Sequence, residues 1–216
     1  MSLQVITIPN GVFQENCYLL REAGYPDGVI VDPGEEAERF LREAEAKKLT
    51  IKEIWLTHAH IDHIMGVDAV RRATGARIYL HPDDRLMYEG LVQQGRLFGI
   101  DVTPAPPPDR TLQHGQRLTL GTTPIEVRHV PGHSPGHVVF VGPGLVLGGD
   151  VLFQGSIGRT DLIGGDLPTL LAGIREQLFS LPDETIVYPG HGPATTIGRE
   201  RATNPFLKEG AFQNDG

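Results

Sequence analysis

The sequence predicts an α+β fold in which two packed β-sheets carry helices on their outer faces. Two observations predict it: short β-rich runs fall into one group in each half of the chain, and amphipathic helical segments follow each group. Such an order is typical of layered folds, because each sheet must bury its apolar side chains against another element. With 216 residues, of which 39% are hydrophobic, the chain can build one sizeable core, and we expect one domain over residues 1–216.

The first half of the chain begins with three strands that form an antiparallel meander. Turn signals at Pro9-Asn10-Gly11 and Tyr25-Pro26-Asp27-Gly28 separate these strands. An amphipathic helix comes next, and then a strand, a helix, a strand and a helix. In chain order, the predicted elements are Leu3–Ile8, Cys17–Leu20, Val29–Val31, Glu35–Lys48, Ile54–Thr57, Ile64–Ala73, Arg77–Leu80 and Pro82–Val92.

The second half repeats this order after a proline-rich stretch. Thr103–Asp109 is predicted to be an extended surface loop because of its run of prolines. Four strands, one helix and a last strand follow. They are predicted at Leu118–Leu120, Ile125–Val130, Val138–Val141, Leu145–Gly148, Pro168–Leu181 and Thr185–Tyr188.

Charge and composition exclude several classes of partner. The chain has 27 acidic and 19 basic residues, and its formal charge of −8 repels nucleic acid phosphates. It has no apolar stretch long enough for a membrane span, and its first residues lack the basic head and apolar segment of a secretory signal. We therefore expect a cytoplasmic protein that binds neither nucleic acid nor membrane. Because Cys17 is the only cysteine, any metal must be held by histidine and carboxylate.

The densest group of possible metal ligands is His58, His60, Asp62 and His63, where a predicted strand gives way to a helix. In an extended segment His58 and His60 project to the same side, because the side-chain period is two. Asp62 and His63 turn back toward the same cleft as the helix begins. The alternative is that Asp62 caps the helix and the histidines are ordinary loop residues. Three histidines and one aspartate in six residues favour a metal site.

Three glycine-rich turns after predicted strands carry further possible ligands. They are Pro131-Gly132-His133, Gly148-Gly149-Asp150 and Pro189-Gly190-His191-Gly192. Loops at strand ends are common places for functional residues. Glycine beside each ligand allows the backbone to approach a metal closely.

Taken together, these residues resemble the signature of the metallo-β-lactamase superfamily, His-x-His-x-Asp-His followed by a later His, Asp and His. The resemblance implies the metallo-β-lactamase fold, an αββα sandwich of two mixed sheets flanked by helices, with the site along one edge of the sheets. It also implies a ligand set for two metal ions. One ion is held by His58, His60 and His133, the second by Asp62, His63 and His191, and Asp150 bridges both.

Two divalent metal ions are the implied cofactors, with zinc favoured and iron or manganese as alternatives. Neutral imidazole and carboxylate suit these ions. A hydroxide that bridges the two ions is the expected nucleophile, since a metal lowers the pKa of bound water to about 7. Asp62 and Asp150 are therefore the predicted catalytic carboxylates.

Within the superfamily, the segment Gly149–Leu162 and the sequence Asn204-Pro205-Phe206 resemble the glyoxalase II-like group, the hydroxyacylglutathione hydrolases and their shorter bacterial relatives. This resemblance implies hydrolysis of a small-molecule acyl thioester, with S-lactoylglutathione as the model substrate. Arg159 is a candidate for binding the anionic end of the substrate. The alternative for Arg159 is a salt bridge with Asp161 or Asp166. His137 is a candidate for lining the substrate pocket.

The sequence departs from full-length glyoxalase II in two ways. That group carries a helical C-terminal domain, whereas only residues 193–216 follow the last predicted ligand here, and Pro193 stands where the group has a tyrosine. We therefore expect a short form in which thioester hydrolysis is retained and glutathione recognition differs.

Three other functions compete with thioester hydrolysis. A persulfide dioxygenase of the same fold, with a single iron, and a non-catalytic metal-stabilised binding protein both remain open. A β-lactamase is disfavoured, because Asp150 stands where the common zinc β-lactamases have a different ligand for the second metal.

Overall fold

Two mixed sheets pack face to face in the structure, a computed structural model that describes residues 2–208. The first sheet begins with an antiparallel meander and continues with parallel strands. In spatial order its strands are β1 (Leu3–Asn10), β2 (Glu15–Glu22), β3 (Asp27–Val31), β4 (Thr50–Trp55), β5 (Arg77–Leu80) and β6 (Arg110–Thr111).

The second sheet is built from the second half of the chain. An antiparallel meander comprises β7 (Arg117–Leu120), β8 (Thr123–His129), β9 (Val138–Gly142) and β10 (Leu145–Gly149). Next to β10 runs β13 (Ile186–Pro189), in parallel, and β14 (Thr195–Thr196) completes that edge. A small separate hairpin, β11 (Leu152–Phe153) and β12 (Ser156–Ile157), lies between β10 and the next helix in sequence.

Helices cover the outer face of each sheet. The first sheet carries α1 (Ala37–Ala46), α2 (Ile61–Ile64), α3 (Val67–Thr74), α4 (Arg85–Glu89) and α5 (Leu91–Phe98). The second carries α6 (Leu167–Gly173), which continues into a π-helical turn at Ile174–Leu178, and α7 (Ile197–Thr203). Short 3₁₀ turns occur at Pro82–Asp84 and Pro205–Leu207. The structure therefore confirms the α+β class and the αββα order of layers.

None of the helices within residues 2–208 is long and apolar enough to cross a membrane.

The core between the two sheets is made of side chains that alternate along facing strands. Trp55 from the first sheet packs against Phe140 from the second, with ring centroids 5.1 Å apart, and both side chains are fully buried. Tyr18 and Tyr188 make an edge-to-face contact across the sheets, with centroids 5.7 Å apart. Strand β2 is buried from Glu15 to Leu20, because helices cover one of its faces and the second sheet covers the other.

Two helices that were predicted to be continuous are interrupted in the structure. The helix predicted at Ile64–Ala73 is interrupted at Gly66, where an added Cβ would lie only 2.4 Å from the carbonyl oxygen of Gly34. The helix predicted at Pro82–Val92 is interrupted at Gly90 and continues to Phe98. The hairpin β11–β12 and helix α7 were not predicted, because elements this short carry little periodic signal.

The intersheet contact generates a stability prediction. We expect Phe140→Ala to lower the free energy of unfolding by about 3–5 kcal/mol, because it leaves a cavity beside Trp55 in a core that cannot collapse freely. Urea denaturation at constant metal content measures this change. Phe98→Ala is the matched control, since Phe98 is 54% exposed, and it should cost clearly less. Equal losses for the two variants would contradict the importance of this core contact.

Candidate metal centre

All seven predicted ligands meet at one end of the sandwich, where strands of both sheets end. His58, His60, Asp62 and His63 follow β4 and enter α2. The other three come from the second sheet. His133 lies in the β8–β9 connection, Asp150 directly follows β10, and His191 follows β13.

Three histidines form the first triad: His58, His60 and His133. Their possible ligand atoms all lie within 4.8 Å of one another. The closest pair is His60 Nδ1 and His133 Nε2, at 2.8 Å. His58 and His60 come from the loop after β4 in the first sheet, and His133 comes from the second sheet. This triad therefore joins the two halves of the chain.

The second triad comprises Asp62, His63 and His191, and its possible ligand atoms also lie within 4.8 Å of one another. Asp62 Oδ2 is 3.1 Å from His191 Nε2 and 3.7 Å from His63 Nε2. His63 is fully buried, whereas the side chain of His191 is 29% exposed. The second triad therefore faces solvent on its His191 side.

Asp150 lies between the two triads. Its Oδ2 is 3.6 Å from His133 Nε2 in the first triad and 3.5 Å from His191 Nε2 in the second, and its Oδ1 is 3.5 Å from His63 Nε2. One carboxylate thus contacts both groups, which is the geometry that a shared ligand requires.

Metal ions fit this donor set. Within residues 2–208, His58 Nε2, His63 Nε2 and Asp150 Oδ1 are buried without a hydrogen-bond partner. Leaving a buried polar atom unsatisfied costs about 1–3 kcal/mol, so such atoms require an explanation. All three belong to the predicted ligand set, and imidazole nitrogen with carboxylate oxygen is the chemistry that zinc and iron prefer.

Three of the seven predicted ligands are held in protonation states that suit cation binding. Burial, reinforced by the neighbouring His63, holds the pKa of His58 well below its usual value, and burial together with His133 lowers the pKa of His60 to about 3. Burial opposes ionisation of Asp150, but the charge of His63, whose Nε2 lies 3.5 Å from Asp150 Oδ1, lowers the pKa of Asp150 far below its usual value. Two imidazoles and one carboxylate are therefore held in the forms that bind metals.

Asp32 orients two of the predicted ligands, and the sequence analysis missed it. It is buried, its Oδ2 lies 3.1 Å from His63 Nδ1, and its Oδ1 accepts the Thr57 backbone N–H at 2.7 Å. The Thr57 hydroxyl donates to Asp32 Oδ2 and lies 3.0 Å from His58 Nδ1. A signal was available, because Asp32 directly follows a buried strand, as Asp150 does.

The loop that carries His191 is held by the opposite sheet. The Asn16 side-chain amide donates to the carbonyls of Pro189 at 3.0 Å and Gly192 at 2.9 Å, and the Tyr18 hydroxyl donates to Pro189 at 2.5 Å. Glycine is required at Gly190, since an added Cβ would lie 2.1 Å from Asp150 Oδ1. These contacts bring His191 close to Asp150.

His137 does not occupy the predicted position in a substrate pocket. Its side chain is fully buried, its Nε2 accepts the Asp150 backbone N–H at 3.0 Å, and its ring stacks on His58 with centroids 4.7 Å apart. The assignment of His137 to the pocket is therefore corrected, because the residue supports Asp150 and His58 from the interior side.

Arg159 adopts the alternative arrangement considered from the sequence. Its guanidinium forms a paired contact with Asp161, with both N–O distances at 2.8 Å, and its side chain is 60% exposed. Asp166 instead caps α6 by accepting the Thr169 N–H. The Arg159 carbonyl accepts from His133 Nδ1 at 2.8 Å, so the Arg159 backbone is part of the site.

Comparisons with known proteins agree with this geometry. Residues 10–191 match the model of the metallo-beta-lactamase superfamily. Hydroxyacylglutathione hydrolase GloC of Haemophilus influenzae is 40% identical over 209 residues, which cover 95% of this chain and 98% of that protein. The range of the family match includes all seven predicted ligands.

Two solved structures are also similar. The crystal structure of BLEG-1 B3 metallo-beta-lactamase has a TM-score of 0.89 and 45% identity, and the match covers 95% of this chain and 100% of that one. The crystal structure of TTHA1623 in a di-iron-bound form has a TM-score of 0.87 and 44% identity, with 94% and 100% covered. On the family match, these identities and the architecture of the site, the chain belongs to the metallo-β-lactamase superfamily and is a metallo-hydrolase of that superfamily.

Proposed function

We propose that this protein is a dinuclear metal-dependent thioesterase of the glyoxalase II type, which hydrolyses S-lactoylglutathione or a related acyl thioester. One observation carries the proposal: Asp150 lies within 3.5–3.6 Å of His63, His133 and His191 and so connects the two triads. The similarity to a hydroxyacylglutathione hydrolase supports the thioester as substrate. A small-molecule partner, and not a nucleic acid, also agrees with the net charge of −8.

In this proposal the first triad would hold one metal ion, the second triad would hold another, and Asp150 would be available to both. Metal ions bound there would supply Lewis-acid chemistry, which lowers the pKa of water and polarises carbonyl groups. Zinc fits the donor set, and the di-iron form of TTHA1623 supports iron as a second candidate.

The other residues of the chain position these ligands. Asp32 accepts from His63 and from Thr57, and so orients the ligand loop after β4. His137 fixes the Asp150 backbone, and its buried ring excludes water from that side. Hydrogen-bond partners of this kind fix the orientation of imidazole rings that bind a metal and tune the basicity of the metal ligands. The partly exposed His191 side is where a substrate can approach.

A second candidate function rests on the similarity to BLEG-1. That protein is described as a B3 metallo-beta-lactamase, and it shares 45% identity with this chain. Hydrolysis of a β-lactam needs the same class of metal-activated nucleophile but a different substrate pocket. A penicillin or cephalosporin therefore belongs in the activity assay beside the thioester.

The first experiment is metal analysis of the purified protein, paired with hydrolysis assays on S-lactoylglutathione and on a β-lactam. About two metal ions per chain with thioester turnover are expected. A single iron with oxygen uptake on a persulfide would assign the chain to the dioxygenases. Turnover of the β-lactam alone would favour the second candidate function, and bound metal without any turnover would favour the non-catalytic binding protein.

We predict that Asp150→Ala reduces the metal content below two ions per chain and lowers kcat/KM by on the order of 100-fold or more, since even residues that only support metal ligands cost about 10- to 100-fold. Plasma emission analysis and thioester kinetics on the same sample measure both effects. Asp27→Ala is the control, because Asp27 is an exposed carboxylate that forms a surface ion pair with Lys52 at 3.8 Å. Wild-type metal content and activity in Asp150→Ala would rule out its role as a shared ligand.

Arg159 remains a candidate for binding the anionic end of the substrate. We predict that Arg159→Ala raises KM for an anionic thioester by up to about fivefold, the range expected for an exposed ion pair, and leaves a neutral thioester unaffected. Asp161→Asn provides the converse test, because it releases Arg159 from its present partner and should lower KM for the anionic substrate. Equal effects on both substrates would leave Arg159 with a structural role alone.

A further inference from the structure

The buried carboxylate of Asp84 lies behind the first triad. Asp84 was not among the predicted site residues. It is the last residue of the Pro82–Asp84 turn and directly precedes α4, and it is fully buried. An aspartate at the start of a helix normally caps it by accepting a backbone N–H of the first turn. Among the described residues, however, the Asp84 side chain makes no capping hydrogen bond to α4.

Both carboxylate oxygens of Asp84 are instead used by the two loops that carry the first triad. Oδ2 accepts the Ala59 backbone N–H at 3.0 Å, and Ala59 separates His58 from His60. Oδ2 also accepts the Ser134 hydroxyl at 2.8 Å, and Oδ1 accepts the Gly136 backbone N–H at 2.6 Å. Ser134 directly follows His133 in the chain.

These bonds connect segments that are distant in sequence. Asp84 is 25 residues from Ala59 and 50 from Ser134. The fit is tight, because an added Cβ at Gly136 would lie 2.6 Å from the Asp84 backbone nitrogen. On the other side, the Gln94 side chain from α5 donates to the Ala59 carbonyl and accepts the Ile61 N–H, both at 3.0 Å. The peptide between His58 and His60 is therefore held from both sides.

We propose that Asp84 is a positioning residue for the first triad, which sets the separation between the His58–His60 segment and His133. The inference rests on the proposed metal function of that triad. A single rigid acceptor shared by both loops holds the three imidazoles at a distance suited to one cation before the cation binds. Asp84 contacts no atom of the reacting centre and acts only through the loops.

The carboxylate is specifically required because all three of its partners are donors. An asparagine has one oxygen, so its NH₂ group would face either the Gly136 N–H or the Ala59 N–H. Either arrangement places two donors against each other in a buried position, which costs the desolvation of an unsatisfied group. Asp84→Asn should therefore move one ligand loop relative to the other with almost no change in side-chain volume.

The test is a Co²⁺ titration, followed by visible absorption, in two backgrounds that separate the triads. His191→Ala leaves the first triad intact, and His60→Ala leaves the second triad intact. In the His191→Ala background, Asp84→Asn should weaken Co²⁺ binding by about 10- to 100-fold, the usual effect of losing a group that supports metal ligands. In the His60→Ala background it should leave Co²⁺ binding unchanged.

Asp83→Asn is the matched control, because it makes the same chemical change in the same turn at a side chain that is 58% exposed. Because Asp84→Asn can lower the yield of folded protein, Ser134→Ala serves as a second variant that removes one donor from the same carboxylate. Ser134→Ala should weaken Co²⁺ binding by the first triad by about tenfold or less, which corresponds to the loss of one net hydrogen bond.

Two results would overturn the inference. One is unchanged Co²⁺ affinity of the first triad in both Asp84→Asn and Ser134→Ala, and the other is an equal loss at both triads, which indicates a general loss of stability. If the unsubstituted protein bound no Co²⁺ at all, the proposed metal function would fail together with the inference. Normal binding by the unsubstituted protein with no effect of the variants would reject the inference alone.

Discussion

The burial of several imidazoles beside carboxylates at one end of the sandwich is the constraint on which the rest of the structure depends. His58, His63 and Asp150 are almost completely removed from water, and each presents an atom without a hydrogen-bond partner within residues 2–208. Isolated buried charges and unsatisfied polar atoms are costly, so the surrounding structure has to compensate for them. Cations held by the two triads would satisfy these atoms, which is why the site is best understood as a metal centre.

The fold brings the ligands together because it ends strands of both sheets at the same edge. Strand β4 delivers four of the ligands, whereas β10 and β13 deliver Asp150 and His191. Contacts between the sheets then fix the loops. Asn16 and Tyr18 of the first sheet bond the loop that carries His191 in the second. Glycine at position 190 avoids a side chain that would clash with the Asp150 carboxylate.

A further layer of buried acidic residues surrounds the predicted ligands. Asp32 supports His63, and Asp84 supports the loops of the first triad. Burial raises the pKa of Glu15, whose carboxyl lies 3.8 Å from His63 Nδ1. The ligands are thus held by hydrogen bonds that already exist in the protein, and a metal ion would bind to an arrangement that is largely formed. Preorganisation of this kind reduces the free-energy cost of binding.

Local sequence patterns predict some elements of this protein and miss others. The strand prediction succeeded for Ile125–Val130, because the alternation of apolar and polar residues reflects burial of one face. The helix prediction failed at Gly66 and Gly90, where the two predicted helices are interrupted. At Gly66 the cause is a close contact with Gly34, a residue distant in sequence, which a local pattern cannot contain.

The same distinction applies to the site. The sequence by itself determined the candidate ligands, since the spacing from His58 to His63 and the glycine-flanked His133, Asp150 and His191 are local patterns with direct chemical meaning. Only the tertiary structure decided which residues support them. It placed His137 in the interior and brought Asp84 against two loops of the first triad. These assignments depend on contacts between segments that are far apart in the chain, and such contacts exist only when both sheets have packed.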